Sequence, residues 1–178
     1  MSGVIGTNPN MNSGVIGAFA PQAEKWVFNT STSSPGYITA NLSRFTGVGT
    51  NYIGRGMTES SGVFTFPSTG LWEVSATAGF YSYVYQNYVS INIHTTTNNS
   101  SYVLANVNYV IHPGDASNRN LNGHTMQTIL FGVKDTSNYK VKFQWERESA
   151  TVTLRGASNY EDTGFGFKKI APISALRA

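Results

Sequence analysis

The strongest constraint on this chain is a period of two. Between residues 140 and 146, Val141, Phe143 and Trp145 alternate with Lys140, Lys142, Gln144 and Glu146. Strict alternation puts one set of side chains on one face of a β-strand, whereas a helix repeats every 3.6 residues. The same pattern recurs in residues 71–80, where Trp72, Val74, Ala76, Ala78 and Phe80 oppose Glu73, Ser75 and Thr77. It returns in residues 88–95 through Val89, Ile91 and Ile93. In residues 101–111, Val103, Ala105, Val107, Tyr109 and Ile111 share a face, with Asn106 and Asn108 opposite. Residues 124–133 are apolar on both faces, Ile129, Phe131 and Val133 against Met126 and Leu130, which predicts a central or subunit-facing strand. Residues 151–155 and 163–170 supply Val152, Leu154, Phe165 and Phe167.

Upstream the pattern is weaker. Residues 24–28 predict a first strand, 29–36 a loop, 37–48 a short strand or two, and 47–56 glycine-rich turns. Later strands are separated by residues 96–100, 112–122 and 135–138, rich in turn formers. No segment carries a helical period. About eight to ten strands at this spacing predict an all-β sandwich or jelly roll.

Composition agrees. The 178 residues favour one domain, long enough for a core without disulfides. Charged residues are 12% and aromatics 13%, which disfavours disorder, while the abundance of Ser, Thr, Asn and Gly disfavours a helical bundle. With no Cys, disulfides, thiolate metal sites and Cys nucleophiles are excluded, and a reducing cytosol fits. The net charge of +3 on so few charges is no nucleic-acid footprint. Residues 1–17 lack a basic n-region and a continuous apolar h-region, so no secretory signal is expected, and no apolar run is long enough to span a membrane.

Residues 1–22 form a distinct segment. Ser2-Gly3-Val4-Ile5-Gly6 recurs as Ser13-Gly14-Val15-Ile16-Gly17, which predicts an extended arm. Such an arm is either a solvated tail with a chance repeat or a docking device. In the second case Val4, Ile5, Val15 and Ile16 enter two similar pockets on partner subunits.

One stretch has a more specific pattern. Gly62-Val63-Phe64-Thr65-Phe66-Pro67-Ser68-Thr69-Gly70-Leu71-Trp72-Glu73-Val74 resembles the C1q-domain motif, Gly-x-Phe-x-x-Pro-x-x-Gly-x-aromatic-x-apolar. Pro67 lacks an N–H and ends strand pairing, Gly70 supports the turn, and Trp72 begins the core alternation. Residues 133–141 resemble the family's apolar–Gly-Asp–turn–apolar step without its Gly, and Thr163-Gly164-Phe165-Gly166-Phe167 resembles its terminal strand. The resemblance runs from about Trp26 to Ile170 and is poor before Gly62. It implies a C1q/TNF-like jelly roll of about ten strands that assembles as a homotrimer. The chain is also similar to the charge-poor C1q-like domains of bacteriophage fibres and capsid surface proteins. The expected organisation is an arm over residues 1–22, the jelly roll over 23–171 and a short tail over 172–178.

Sites for chemistry are scarce. His94, His112 and His124 lack metal-ligand spacing, and His112-Pro113-Gly114-Asp115 reads as a turn. Glu161-Asp162 is the only adjacent carboxylate pair. Glu146 and Glu148 are expected on one solvent face, meeting Lys and Arg, and calcium at Asp162 or Asp115 is a minor alternative. No Gly-x-Ser-x-Gly, phosphate-binding or dinucleotide motif occurs, and no cofactor is expected. Tyr81, Tyr83, Tyr85 and Tyr88 form an unusual cluster, expected as a subunit interface in preference to a sugar-stacking surface.

These readings converge on a non-enzymatic virion protein made in the host cytoplasm: a trimeric capsid decoration or cement protein anchored by its arm to other virion proteins. The alternative is a tail or head fibre tip that binds host-surface glycan. Its contact loops would carry Asn98, Asn99, Asn118 and Arg119. Neither nucleic acid nor a membrane is an expected partner.

Overall fold

The structure, a computed structural model, describes residues 20–46, 51–82, 86–112, 121–148 and 151–176. Among them the chain forms twelve strands: β1 (Gln22–Phe28), β2 (Gly36–Tyr37), β3 (Leu42–Arg44), β4 (Thr58–Ser60), β5 (Val63–Thr65), β6 (Gly70–Ser82), β7 (Gln86–Thr96), β8 (Val103–His112), β9 (Leu121–Val133), β10 (Lys140–Arg147), β11 (Thr153–Leu154) and β12 (Gly164–Ala171). One 3-10 turn, Ile173–Ala175, follows. The strands make two antiparallel sheets of six. In the first, β6 lies between β9 on one side and β12 and β11 on the other, and β1 and β3 continue past β12. In the second, β7 lies between β8 and β10, and β5, β4 and β2 extend beyond β10.

The alternating residues set this arrangement. Trp72, Val74, Ala76, Ala78 and Phe80 of β6 are fully buried between the sheets, as are Val141, Phe143 and Trp145 of β10. Phe143 stacks on Phe165 at 4.0 Å, and Phe64 meets Phe143 and Phe167 at 5.5 and 5.0 Å. Offset and edge contacts of this kind suit the ring quadrupoles. The 62–74 stretch folds as its pattern predicts. Pro67 lies in the turn between β5 and β6, and the Trp72 indole N–H donates to the Ser68 carbonyl at 3.1 Å.

The weakly patterned N-terminal third resolves into short strands held by long ones. β1 pairs β12 and β3, and β2 pairs β10 at Tyr37 opposite Gln144. The β4–β5 hairpin turns through Ser61 and Gly62, both at positive φ. Gly62 is obligatory here: at φ +78° an added Cβ would fall 2.1 Å from the Ile38 carbonyl oxygen. Buried Glu24 pairs with Arg44 at 2.6 Å and also accepts the Met57 amide, while Arg44 lies over Trp26 and Tyr52.

Three expectations change. β4 was not predicted, because three residues are too few to show a period. Of the two readings of residues 124–133, central or subunit-facing, the central one fails: among the described residues β9 pairs only with β6 and forms an edge of its sheet. Glu146 and Glu148 do not share a strand face, since β10 ends at Arg147. Their carboxylates accept from amides instead, Glu146 from Gln144 and Glu148 from the Asn87 backbone and side chain.

Candidate functional site

The two sheets meet along one open side, where β8 and β9 run as edge strands. β8 is the informative element. Its partners on β7 are fixed by register: Val110 faces Val89, Asn108 faces Ile91 and Asn106 faces Ile93. Val89, Ile91 and Ile93 are core residues, so the asparagines share the inward face and Val107 and Tyr109 point out. Val107 and Tyr109 thus lie outside, but the five apolar residues expected on one face do not share it: register shifts interrupt the strand near both ends, so that Leu104 lies outside, Val103 opposite Thr95 lies on the inward side, and Val110 packs inward against the core.

The reason the asparagines face inward lies on β9. An edge strand leaves a row of unpaired backbone groups. Asn108 donates its side-chain amide to the Met126 carbonyl at 2.8 Å, and Asn106 donates to that of Thr128 at 3.4 Å. Gln127, buried and pointing inward from β9, donates to the Ile91 carbonyl. Amide side chains thus bridge a gap that no ladder closes. The opposite facing of β8 would leave those carbonyls without these donors.

The consequence is a seam flanked by exposed hydrophobics. Tyr109 is 57% exposed, Ile111 62%, Met126 65% and Leu130 63%, and Val103 and Leu104 add to them. Tyr88 meets Tyr109 edge-to-face at 5.6 Å. Single exposed apolar residues need no explanation, but here several lie on the two edge strands that flank one seam, which makes it a candidate interaction surface.

The outer face of the first sheet carries Met126 and Leu130 at its β9 edge, opposite Thr77 and Glu73, and differs toward its middle. Ser75, Thr77 and Gly79 of β6 and Gly166 of β12 give it little relief, and a groove of about 270 Å³ runs over Ser75 and Gly166 between Lys25, Ile53 and Lys168. His124 lies over Gly79.

The predicted tyrosine cluster is divided. Tyr81 points away from the core on β6 in the first sheet, whereas Tyr88 belongs to β7 in the second. Tyr83 and Tyr85 lie outside the described residues, as do Val4, Ile5, Val15, Ile16, Asn118, Arg119 and Asp115. Asn99 is exposed at the turn after β7, with a φ of +56°. Asn98 is occupied within that turn: its side-chain oxygen accepts from the backbone of Ser100 and Ser101 and from the Thr96 hydroxyl. The adjacent carboxylates turn to separate cations, Glu161 to Lys25 at 2.6 Å and Asp162 to Arg155 at 3.2 Å. Among the described residues no three His, Cys, Asp or Glu side chains converge as metal ligands, and no helix is long and apolar enough to cross a membrane.

Comparison with solved structures is consistent with this architecture. The crystal structure of murine APRIL at pH 5.0 aligns with a TM-score of 0.59 at 10% identity, covering 84% of this chain and 99% of that one. Murine APRIL at pH 8.5 aligns with a TM-score of 0.56 at 12% identity over the same shares. The fold is a TNF-like jelly roll. At such identity the likeness concerns the fold alone. No protein-family model matches the sequence, and no curated protein does.

Proposed function

We propose that the chain is a non-enzymatic structural subunit that assembles as a homotrimer and decorates a bacteriophage particle, anchored by residues 1–22. The observation that carries the assembly is the exposed apolar β8–β9 edge, a surface whose burial is favourable at roughly 25 cal/mol per Å². Because side-chain amides already occupy β9 carbonyls, a partner meets side chains there. The low-relief outer face of the first sheet, with its groove over Ser75 and Gly166, is a suitable receiver for that edge on the next copy. Contact between two different patches closes into a ring when the rotation allows, and three is the number the C1q resemblance implies. The placement on a virion rests on the resemblance of this charge-poor, Asn/Thr/Gly-rich domain to the C1q-like domains of bacteriophage virion proteins, with which the lack of Cys and the repeated Val-Ile pair of the arm are compatible.

Light scattering on the full chain tests the assembly. A trimer is expected, and Tyr109→Arg with Met126→Arg should give a folded monomer with unchanged circular dichroism. A wild-type monomer at micromolar concentration would overturn the reading. Deletion of residues 2–17 should leave a folded trimer that no longer attaches to particles; undiminished attachment would remove the arm's role.

A further inference from the structure

A second constellation lies on the outer face of the β7–β10 sheet. Three strands and one residue outside them build it. Pairing of β7 with β10 sets Lys142 opposite His94, Gln144 opposite Asn92 and Glu146 opposite Ser90. Pairing of β2 with β10 sets Tyr37 beside Gln144. Tyr102, just before β8, completes the group.

The geometry is tight. The Tyr37 hydroxyl lies 3.4 Å from His94 Nδ1, and the two rings meet at 5.1 Å and 69°. Lys142 Nζ lies 4.3 Å from the Tyr102 ring centre and 5.4 Å from that of Tyr37. Two aromatic faces thus hold an ammonium group that, among the described residues, pairs with no carboxylate. Burial lowers the His94 pKa, outweighing the Gln144 hydrogen bond and the Glu146 charge, which raise it, and Lys142 lowers it further. The ring is therefore neutral at neutral pH. Burial and the neighbouring Tyr37 raise the Tyr102 pKa, so that hydroxyl stays protonated.

Along the same strand face, Ser90 Oγ and Asn92 Oδ1 are buried and, among the described residues, meet no hydrogen-bonding group. The same holds for His94 Nε2, at the next alternate position of the strand. An unpaired buried polar atom costs about 1–3 kcal/mol. Beside them a cleft of about 330 Å³ opens between Gly36, Tyr88, Gln144 and Glu146.

We propose that this face binds an acidic saccharide. A pyranose ring has C–H faces that stack on tyrosine and hydroxyls that both donate and accept. Tyr37 and Tyr102 supply the stacking planes. Gln144, half-buried on the same face, is a planar polar group suited to a neighbouring hydroxyl, with Asn92 and His94 packed behind it. Lys142 supplies the charge-assisted bond that selects a carboxylate. A few convergent polar groups beside aromatic walls are the usual make-up of a ligand site. The site lies within one protomer and does not rest on the trimer. It also lies apart from the Asn98–Asn99 turn.

The test is calorimetric titration of the full chain with trigalacturonate and with 3′-sialyllactose, using lactose as the neutral control. Saturable binding of at least one acidic saccharide is expected, with lactose at least tenfold weaker. Lys142→Met, which keeps the aliphatic stem, and Tyr102→Ala should each weaken binding about tenfold or more. The monomeric Tyr109→Arg/Met126→Arg variant should still bind. Failure of both acidic saccharides to bind, equal binding of lactose, or full binding by a folded Lys142→Met variant would overturn the proposal.

Discussion

Trp72 and Ser75 show how much a single position carries. They lie three residues apart on β6, on opposite faces of the strand. Trp72 is 1% exposed, packs on Phe66 at 5.2 Å and spends its N–H on Ser68. Ser75 lies on the outer face above Gly166. Trp72→Ala should therefore cost about 3–5 kcal/mol through the cavity it leaves. Ser75→Ala should cost less than about 0.5 kcal/mol in the isolated subunit. Urea midpoints of the two variants check this, and equal losses would contradict the two-face assignment. Both roles were legible in the sequence, because on β6 the apolar set and the polar set alternate without exception from Trp72 to Thr77.

At the scale of the element, β8 marks where legibility stops. Its alternation predicts a strand and separates Val107 and Tyr109 from Asn106 and Asn108. It does not say which set faces in. The usual inference puts the apolar set inside; the structure puts the amides inside because their acceptors are on β9, 18 and 22 residues away. That choice depends on a partner, and no local pattern encodes it. β2, β3 and β4 are hard to read for a related reason: they are two or three residues long, β2 and β3 bordering longer strands and β4 pairing the equally short β5. The Tyr37–His94–Lys142 cluster was invisible likewise, since Tyr37 and His94 are 57 residues apart and only β10 brings them together. The amide bridge predicts an order of effects. Asn108→Ala, which removes the shorter bond, should cost about 1–2 kcal/mol, and Asn106→Ala about 0.5 kcal/mol or less. Denaturant unfolding measures both, and a larger loss at Asn106 would reverse the ranking of the two bonds.

For the molecule as a whole, His94 gives stability a pH dependence. Its folded-state pKa is lowered from the free imidazole's 6.5, chiefly by burial. The unfolded chain therefore takes up a proton before the folded one does. Stability contributed by the neutral ring is complete above pH 6.5 and falls as pH drops from there toward the lowered value, below which this loss is constant. Glu146 and Gln144 moderate the effect and Lys142 adds to it. The urea midpoint should be lower at pH 5.5 than at pH 7.5, and His94→Gln should flatten the difference; an unchanged slope in that variant would place the proton elsewhere.

The amide seam also governs what kind of aggregate this protein forms. An edge strand with bare carbonyls is a template: any extended segment adds to it, then another to that one, without limit. Here Asn106 and Asn108 stand where the first added segment would begin. The side is greasy, yet two of the backbone acceptors that an added strand would need are already taken. Overexpressed protein that fails to assemble should thus form reversible, amorphous clusters rather than fibrils, and double replacement of the two asparagines is the change that would open the route to thioflavin-positive fibres.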